Sequence, residues 1–168
     1  YTAGTSVTIT SNITLYAQWQ EVESETTINA NGHEYVDLGL PSGTLWATMN
    51  VGAATPEDYG DYFAWGETTT KSSFTNSTYK WYDGYQYTKY IPYSYAYKEI
   101  MDDKSVLELC DDAAHVNWGG DWRMPLQEEQ QELLDECTWT YGAKNGVNGF
   151  HVKGPNGNSI FLPAAGND

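Results

Sequence analysis

Positive charge is scarce in this chain. Arg123 is its only arginine, and Lys and Arg together number 8 against 23 Asp plus Glu, a formal net charge of −15. A nucleic-acid partner needs a basic patch to neutralise phosphates, and a few scattered cations do not make one, so no nucleic acid is expected. An anionic membrane surface is disfavoured for the same reason. Runs of apolar residues are also short. None approaches the ~20 residues that cross a bilayer as a helix, which argues against direct membrane insertion. Cysteine is limited to Cys110 and Cys137, whose spacing matches no metal-ligand motif. A disulfide between them and two buried free thiols both stay open. His33, His115 and His151 lie far apart and lack a zinc-site spacing, no Gly-x-Ser-x-Gly elbow occurs, and no phosphate-binding glycine loop is present. The common hydrolase, zinc-enzyme and nucleotide-binding signatures are thus missing. The first residue is Tyr1 rather than Met, which suggests a fragment or processed piece of a longer protein.

What the chain does have is rings with polar handles: Tyr 14 and Trp 7, against Phe 4. Such rings suit surfaces that are half wet, the composition of a binding protein. The acid excess fits a secreted protein kept soluble by charge. Residues 1–19 alternate apolar and polar positions around a Ser11-Asn12 turn and are expected to form a hairpin. Residues 20–32 are polar, acidic and without period, and read as a linker. From His33 to Asp168 the texture is that of an α+β domain. Its expected parts are strands around EYVDLGLPSGTLWAT, a short strand in GDYFAWGE and helices over 106–117 and 125–137. Two further strands, FHVKG and SIFLPAAG, would be joined by a Pro-Asn-Gly turn. Residues 68–98 read as one long decorated loop.

Helix 125–137 places Leu126, Gln130, Leu133, Leu134 and Cys137 on one face, with Pro125 in its first turn. Glu128, Glu129, Glu132, Asp135 and Glu136 would form a solvated acidic face rather than an acid–base pair, which needs two carboxylates in one pocket. Gln130 within the apolar stripe is the anomaly. Arg123, in the loop NWGGDWR, reads as an internal clamp among packed tryptophans. Trp46, Trp65, Trp118 and Trp122 are the expected core aromatics. The pairs Asp102–Asp103 and Asp111–Asp112, and the group Glu57, Asp58 and Asp61, are compatible with calcium, but no calcium motif supports it. No cofactor is therefore expected. The tyrosine run is the most suggestive binding feature. Trp81, Tyr82, Tyr85 and Tyr87 are the candidate ligand contacts, with Tyr79, Tyr90, Tyr93, Tyr95 and Tyr97 beside them.

Two resemblances follow from motifs. ITLYAQW, ending near residue 19, resembles the final hairpin of a Listeria–Bacteroides repeat, a β-rich module of bacterial surface proteins. NGHEYVDLGLPSGTLWAT, GDYFAWGE, WGGDWRMP and SIFLPAAG resemble the Fibrobacter succinogenes major paralogous domain, of the C-type-lectin-like and formylglycine-generating-enzyme-like fold group. WRMPLQEEQQELL is similar to that group's Arg-Leu-Pro-Thr-x-x-Glu-Trp signature, with Leu126 in place of its Thr and Gln130 in place of its Trp. The Thr would have capped the helix. The resemblance implies a C-type-lectin-like domain, incomplete at its C-terminus. It also implies a non-enzymatic module, secreted or on the outer surface of a bacterium, that binds a glycan or protein. A strand-exchanging structural module able to form homo-oligomers is the alternative. An oxidase like the formylglycine-generating enzymes is less favoured, because Cys110 and Cys137 do not stand where that redox pair does.

Overall fold

A computed structural model describes residues 28–91 and 102–166. The hairpin expected over residues 1–19, and Tyr93, Tyr95 and Tyr97, lie outside the described residues. The described chain is a small mixed α/β protein with two three-stranded antiparallel sheets and few helices. The first sheet has the order β1 (Ile28–Ala30), β2 (His33–Asp37) and β3 (Leu45–Ala47). β1 lies inside the segment expected to be a linker. Asn31-Gly32 explains it: both take positive φ, 54° and 87°, the signature of a two-residue hairpin turn. The second sheet has the order β4 (Thr138–Lys144), β5 (Val147–Lys153) and β6 (Ser159–Pro163). Both expected C-terminal strands are present, and β4 is an addition. Its signal is Asn145-Gly146, again with positive φ, pairing Lys144 directly with Val147.

Two helices lie between the sheets in sequence, both shorter than expected. A 3-10 turn (Leu109–Asp111) precedes α1 (Ala113–Trp118), so the expected helix over 106–117 starts only at residue 113. Asp112 fixes that start by accepting the His115 amide at 3.0 Å. α2 runs Gln127–Glu136 with Leu126 at its N-cap, so Pro125 precedes the helix instead of opening it, and Cys137 is its C-cap. Leucine offers no capping oxygen. Glu129 supplies the reciprocal half of the cap, accepting the Leu126 amide at 2.7 Å. No strand forms over GDYFAWGE. A turn closes there instead, Glu67 N donating to Ala64 O at 2.9 Å.

The core sits where the two sheets and α2 meet: Val36, Leu38, Leu40, Leu133, Val152 and Ile160, with Trp46, Cys137, Trp139 and Leu162 packed against it. Only Leu133 of α2 is buried; Leu134 and Gln130 are exposed, so the glutamine is no anomaly. The sheets approach closely at Gly154, where a Cβ would lie 2.1 Å from the Leu38 carbonyl oxygen. Asn156 and Asn158 seal the join, donating Nδ2 to Asp37 O at 2.9 and 2.8 Å.

The acidic face of α2 is only partly solvated, contrary to expectation. Glu132 accepts the Ser42 amide at 2.8 Å and the Ser42 hydroxyl at 2.5 Å, tying the helix to the loop before β3. Glu129 takes a two-pronged guanidinium contact from Arg123, at 2.8 and 2.5 Å, and Arg123 also donates to Met124 O. Trp118 is buried and Trp122 half-buried. His33 stacks on Trp118 at 4.3 Å, and Trp122 Nε1 donates to Ala30 O at 3.0 Å. These rings staple the first hairpin to α1. Trp65 is the correction among the expected core tryptophans: it is 47% exposed.

Arg123, opposed by burial, together with the Leu126 amide holds the Glu129 carboxyl down at about 2. A depressed carboxylate stabilises the fold above its unfolded pKa and loses that contribution as pH falls toward the folded value. Urea midpoints should therefore drop between about pH 5 and 2. Glu129→Gln should flatten part of that drop and cost about 1 kcal/mol at neutral pH, a value kept small by the solvent around Arg123. Equal pH profiles for both proteins would contradict this role.

Candidate ligand-binding face

The aromatic loop is built on ion pairs to one buried carboxylate. Asp111 is 3% exposed, and two lysine ammonium groups converge on it: Lys80 at 2.9 Å and Lys89 at 2.6 Å. The Tyr90 hydroxyl donates to the same carboxylate at 2.9 Å and accepts the Glu108 amide at 3.1 Å. Burial alone would raise the Asp111 pKa, but the two ammonium groups and the phenol outweigh it and hold the carboxyl at about 2. Asp111 and Glu108 in turn push the Lys89 pKa well up. Tyr90 sits in left-handed backbone, φ 58°, unusual for a large side chain. Asp102 holds it there by accepting the amides of Tyr90 and Ile91 at 2.8 and 2.9 Å.

Above this base lies Trp81. Its indole N–H donates to Gly66 O at 2.9 Å, and its ring meets Tyr90 edge-on at 6.1 Å. Lys80 and Lys89 both lie over the Trp81 ring, 4.3 and 4.8 Å from its centroid. Glycine is required at 66: a Cβ there would fall 2.6 Å from Tyr90 Cε2, at φ 74°. From Trp81 the chain makes a tight hairpin, with a bridge between Tyr82 and Tyr87 and Thr88 N donating to Trp81 O at 2.8 Å. Asp83 closes its tip by accepting the amides of Tyr85 and Gln86, which lowers its own pKa.

The rings displayed by this frame are contiguous. Tyr87 meets Tyr79 at 5.9 Å and Tyr82 at 5.4 Å, both edge-on, and its hydroxyl donates to Asn76 Oδ1 at 3.2 Å. Tyr79 donates to Trp65 O at 2.9 Å, which brings the exposed Trp65 to the same area. Lys71 lies over Phe74 and Tyr79 and pairs with the buried Glu67 at 2.7 Å. Tyr85, at the tip, is 73% exposed, and Tyr87 and Phe74 are exposed as well. Of the four sequence-derived contacts, Tyr82, Tyr85 and Tyr87 thus stand together on the outer hairpin. Trp81 is half-buried beneath them as their support. Phe74, Tyr79 and Trp65 join the face without having been singled out as contacts. Phe74 sits in a Thr/Ser-rich stretch that gives no period, and only the fold brings it alongside.

Three of the acids considered for calcium are engaged elsewhere. Asp58 accepts two backbone amides of its own turn, Asp112 caps α1 and takes the Met124 amide, and Asp102 holds residues 90–91. Glu108, Cys110 and Asp111 bring ligand atoms within 4.8 Å of one another. Lys80, Lys89 and Lys104 already bond those carboxylates, a donor set that does not fit a divalent cation. Both cysteines are free thiols, Cys110 exposed and Cys137 half-buried, and burial raises the Cys137 pKa. No family model, curated protein or solved structure matches the chain.

Asp111→Ala should release the hairpin while leaving the sheets folded. It removes an acceptor from Lys80, which is half exposed, from the Tyr90 hydroxyl and from Lys89, which keeps Glu108, a loss of about 1–2 kcal/mol. Limited proteolysis should then cut between residues 80 and 91, and unchanged protection would show that Asp111 does not hold the loop.

Proposed function

We propose that this chain is a non-enzymatic binding module of the bacterial cell surface, recognising its ligand through the aromatic face around Tyr82, Tyr85 and Tyr87. The observation that carries the reading is the pair of exposed rings Tyr85 and Tyr87, the latter packed edge-on against half-buried Tyr79 and Tyr82, on a frame fixed from below by Asp111. Exposed aromatic patches on soluble domains mark interaction sites, and rigid rings contribute contact area at little entropic cost. The ligand class the face fits best is an uncharged glycan chain. The cations under the rings are matched by carboxylates, so the face offers no unpaired cation to an anionic ligand. Flat rings with hydroxyl rims suit the apolar faces and hydroxyl edges of sugar rings. The C-type-lectin-like architecture belongs to the same proposal. Two small antiparallel sheets, two short helices and a long loop bearing the face support it, together with the motifs described above.

β4 favours a second reading, a strand-exchanging module. Among the described residues it is an outer strand of its sheet, seven residues long, with Tyr141 exposed. Oligomers that grow with concentration in sedimentation velocity, without any ligand, would favour that reading.

On an array of uncharged oligosaccharides, the wild-type chain should bind a subset of hexose polymers. Tyr85→Ala with Tyr87→Ala should weaken that binding about tenfold or more, as for central aromatic contacts. Equal binding by the double variant would overturn the assignment of this face. Binding only to surface proteins would move the ligand class to protein.

A further inference from the structure

The chain's charge is unevenly placed. Not one of its 23 acids lies within residues 138–166, the whole of the second sheet, which carries Lys144, Lys153 and His151. The strand register puts these three on one face. Thr140 pairs with His151, His151 with Phe161, Thr138 with Lys153 and Lys153 with Ser159, and Lys144 follows Thr140 and Gly142 in the same alternation. The core residues Trp139, Val152 and Ile160 occupy the other face. Over the basic face lies a cavity of about 180 Å³ lined by Thr48, Pro56, Lys144, His151, Ser159 and Phe161.

The side chains in this cavity are placed, not loose. His151 leans on the buried Phe161 ring at 4.9 Å, and Lys144 Nζ lies 5.9 Å over the same ring. Lys71, Lys80, Lys89 and Lys104 each bond a carboxylate, whereas Lys144 and Lys153 enter no ion pair among the described residues. The rim does receive one acid, Glu57, and the Asn145 side-chain amide takes it. A chain with a threefold excess of acid thus brings a single carboxylate, itself bonded to Asn145, near one partly enclosed lysine beside an imidazole and hydroxyl groups.

We infer that this cavity is a second binding site, for a small ligand bearing a carboxylate or phosphate group. Lys144 supplies the charge, His151 supplies a hydrogen bond, and Phe161 is the apolar floor. The overall negative charge does not forbid it, because exposed charges more than about 8–10 Å away are largely screened at physiological salt. The cavity's size suits a small anion rather than a polymer, which separates this site from the aromatic face.

The test is a heteronuclear NMR titration of the isotope-labelled full chain with sodium phosphate and, separately, sodium acetate, at ionic strength held constant with sodium chloride. Saturable shifts centred on Thr48, Lys144, His151 and Phe161 are expected. Saturation by phosphate alone, by acetate alone or by both identifies the anion class. Lys144→Met keeps the alkyl chain over Phe161 but removes the charge, and should weaken binding at least tenfold. His151→Gln, on an exposed position, provides the second variant should the first lose its fold. Shifts that stay linear to the highest concentration with both anions, or that saturate equally in the substituted chains, would overturn the assignment.

Discussion

The buried carboxylate of Asp111 is the constraint on which the aromatic face depends. An ionised acid at 3% exposure is costly unless its oxygens are satisfied, and here two ammonium groups and a phenol satisfy them. The consequences run outward. Lys80 and Lys89 lie over Trp81 as they reach Asp111, and Trp81 cannot take that place unless residue 66 is glycine. Tyr90 reaches the same carboxylate from left-handed backbone, which Asp102 stabilises. A loop rich in tyrosine acquires one arrangement from these few contacts, and its outer rings are presented without needing a core of their own.

The rest of the fold supplies a platform by more ordinary means. Apolar residues of β2, α2, β5 and β6 close one small core, and polar side chains join the parts that the core does not reach. Glu132 with Ser42, Glu129 with Arg123, and Asn156 and Asn158 with Asp37 are such joins. Acids on a helix surface thus act as fasteners rather than as chemistry. The stretch NWGGDWRMPLQEEQQELL contains many of them, and its part is to hold the first hairpin, α1 and α2 together.

Much of this was legible in the residues, and the failures have physical causes. Period-two alternation and turn residues located β2, β3, β5 and β6, because strands with one buried face must alternate. β1 and β4 were missed although Asn31-Gly32 and Asn145-Gly146 announce both hairpins; β1 is too short to show a period, and β4 is mostly exposed on both sides. Trp65 looked like core because tryptophan usually is, yet a turn rather than a strand carries it outward. The exposed rings of Tyr85 and Tyr87 were readable from composition. The ion pairs that fix them were not, since Asp111 meets Lys80 and Lys89 across 31 and 22 residues of chain. The basic cavity was hidden for a similar reason: its lysine and histidine meet only through sheet register.

The central claim is that the aromatic face is preorganised before any ligand arrives. Hydrogen exchange of the ligand-free protein tests it most directly at the amides of Gln86, Thr88, Tyr90 and Ile91, whose acceptors are Asp83, Trp81 and Asp102. The account requires Tyr90 and Ile91 to exchange as slowly as the core strands, and Gln86 and Thr88 to be clearly protected. Exchange of all four at the rate of an unstructured peptide would contradict it.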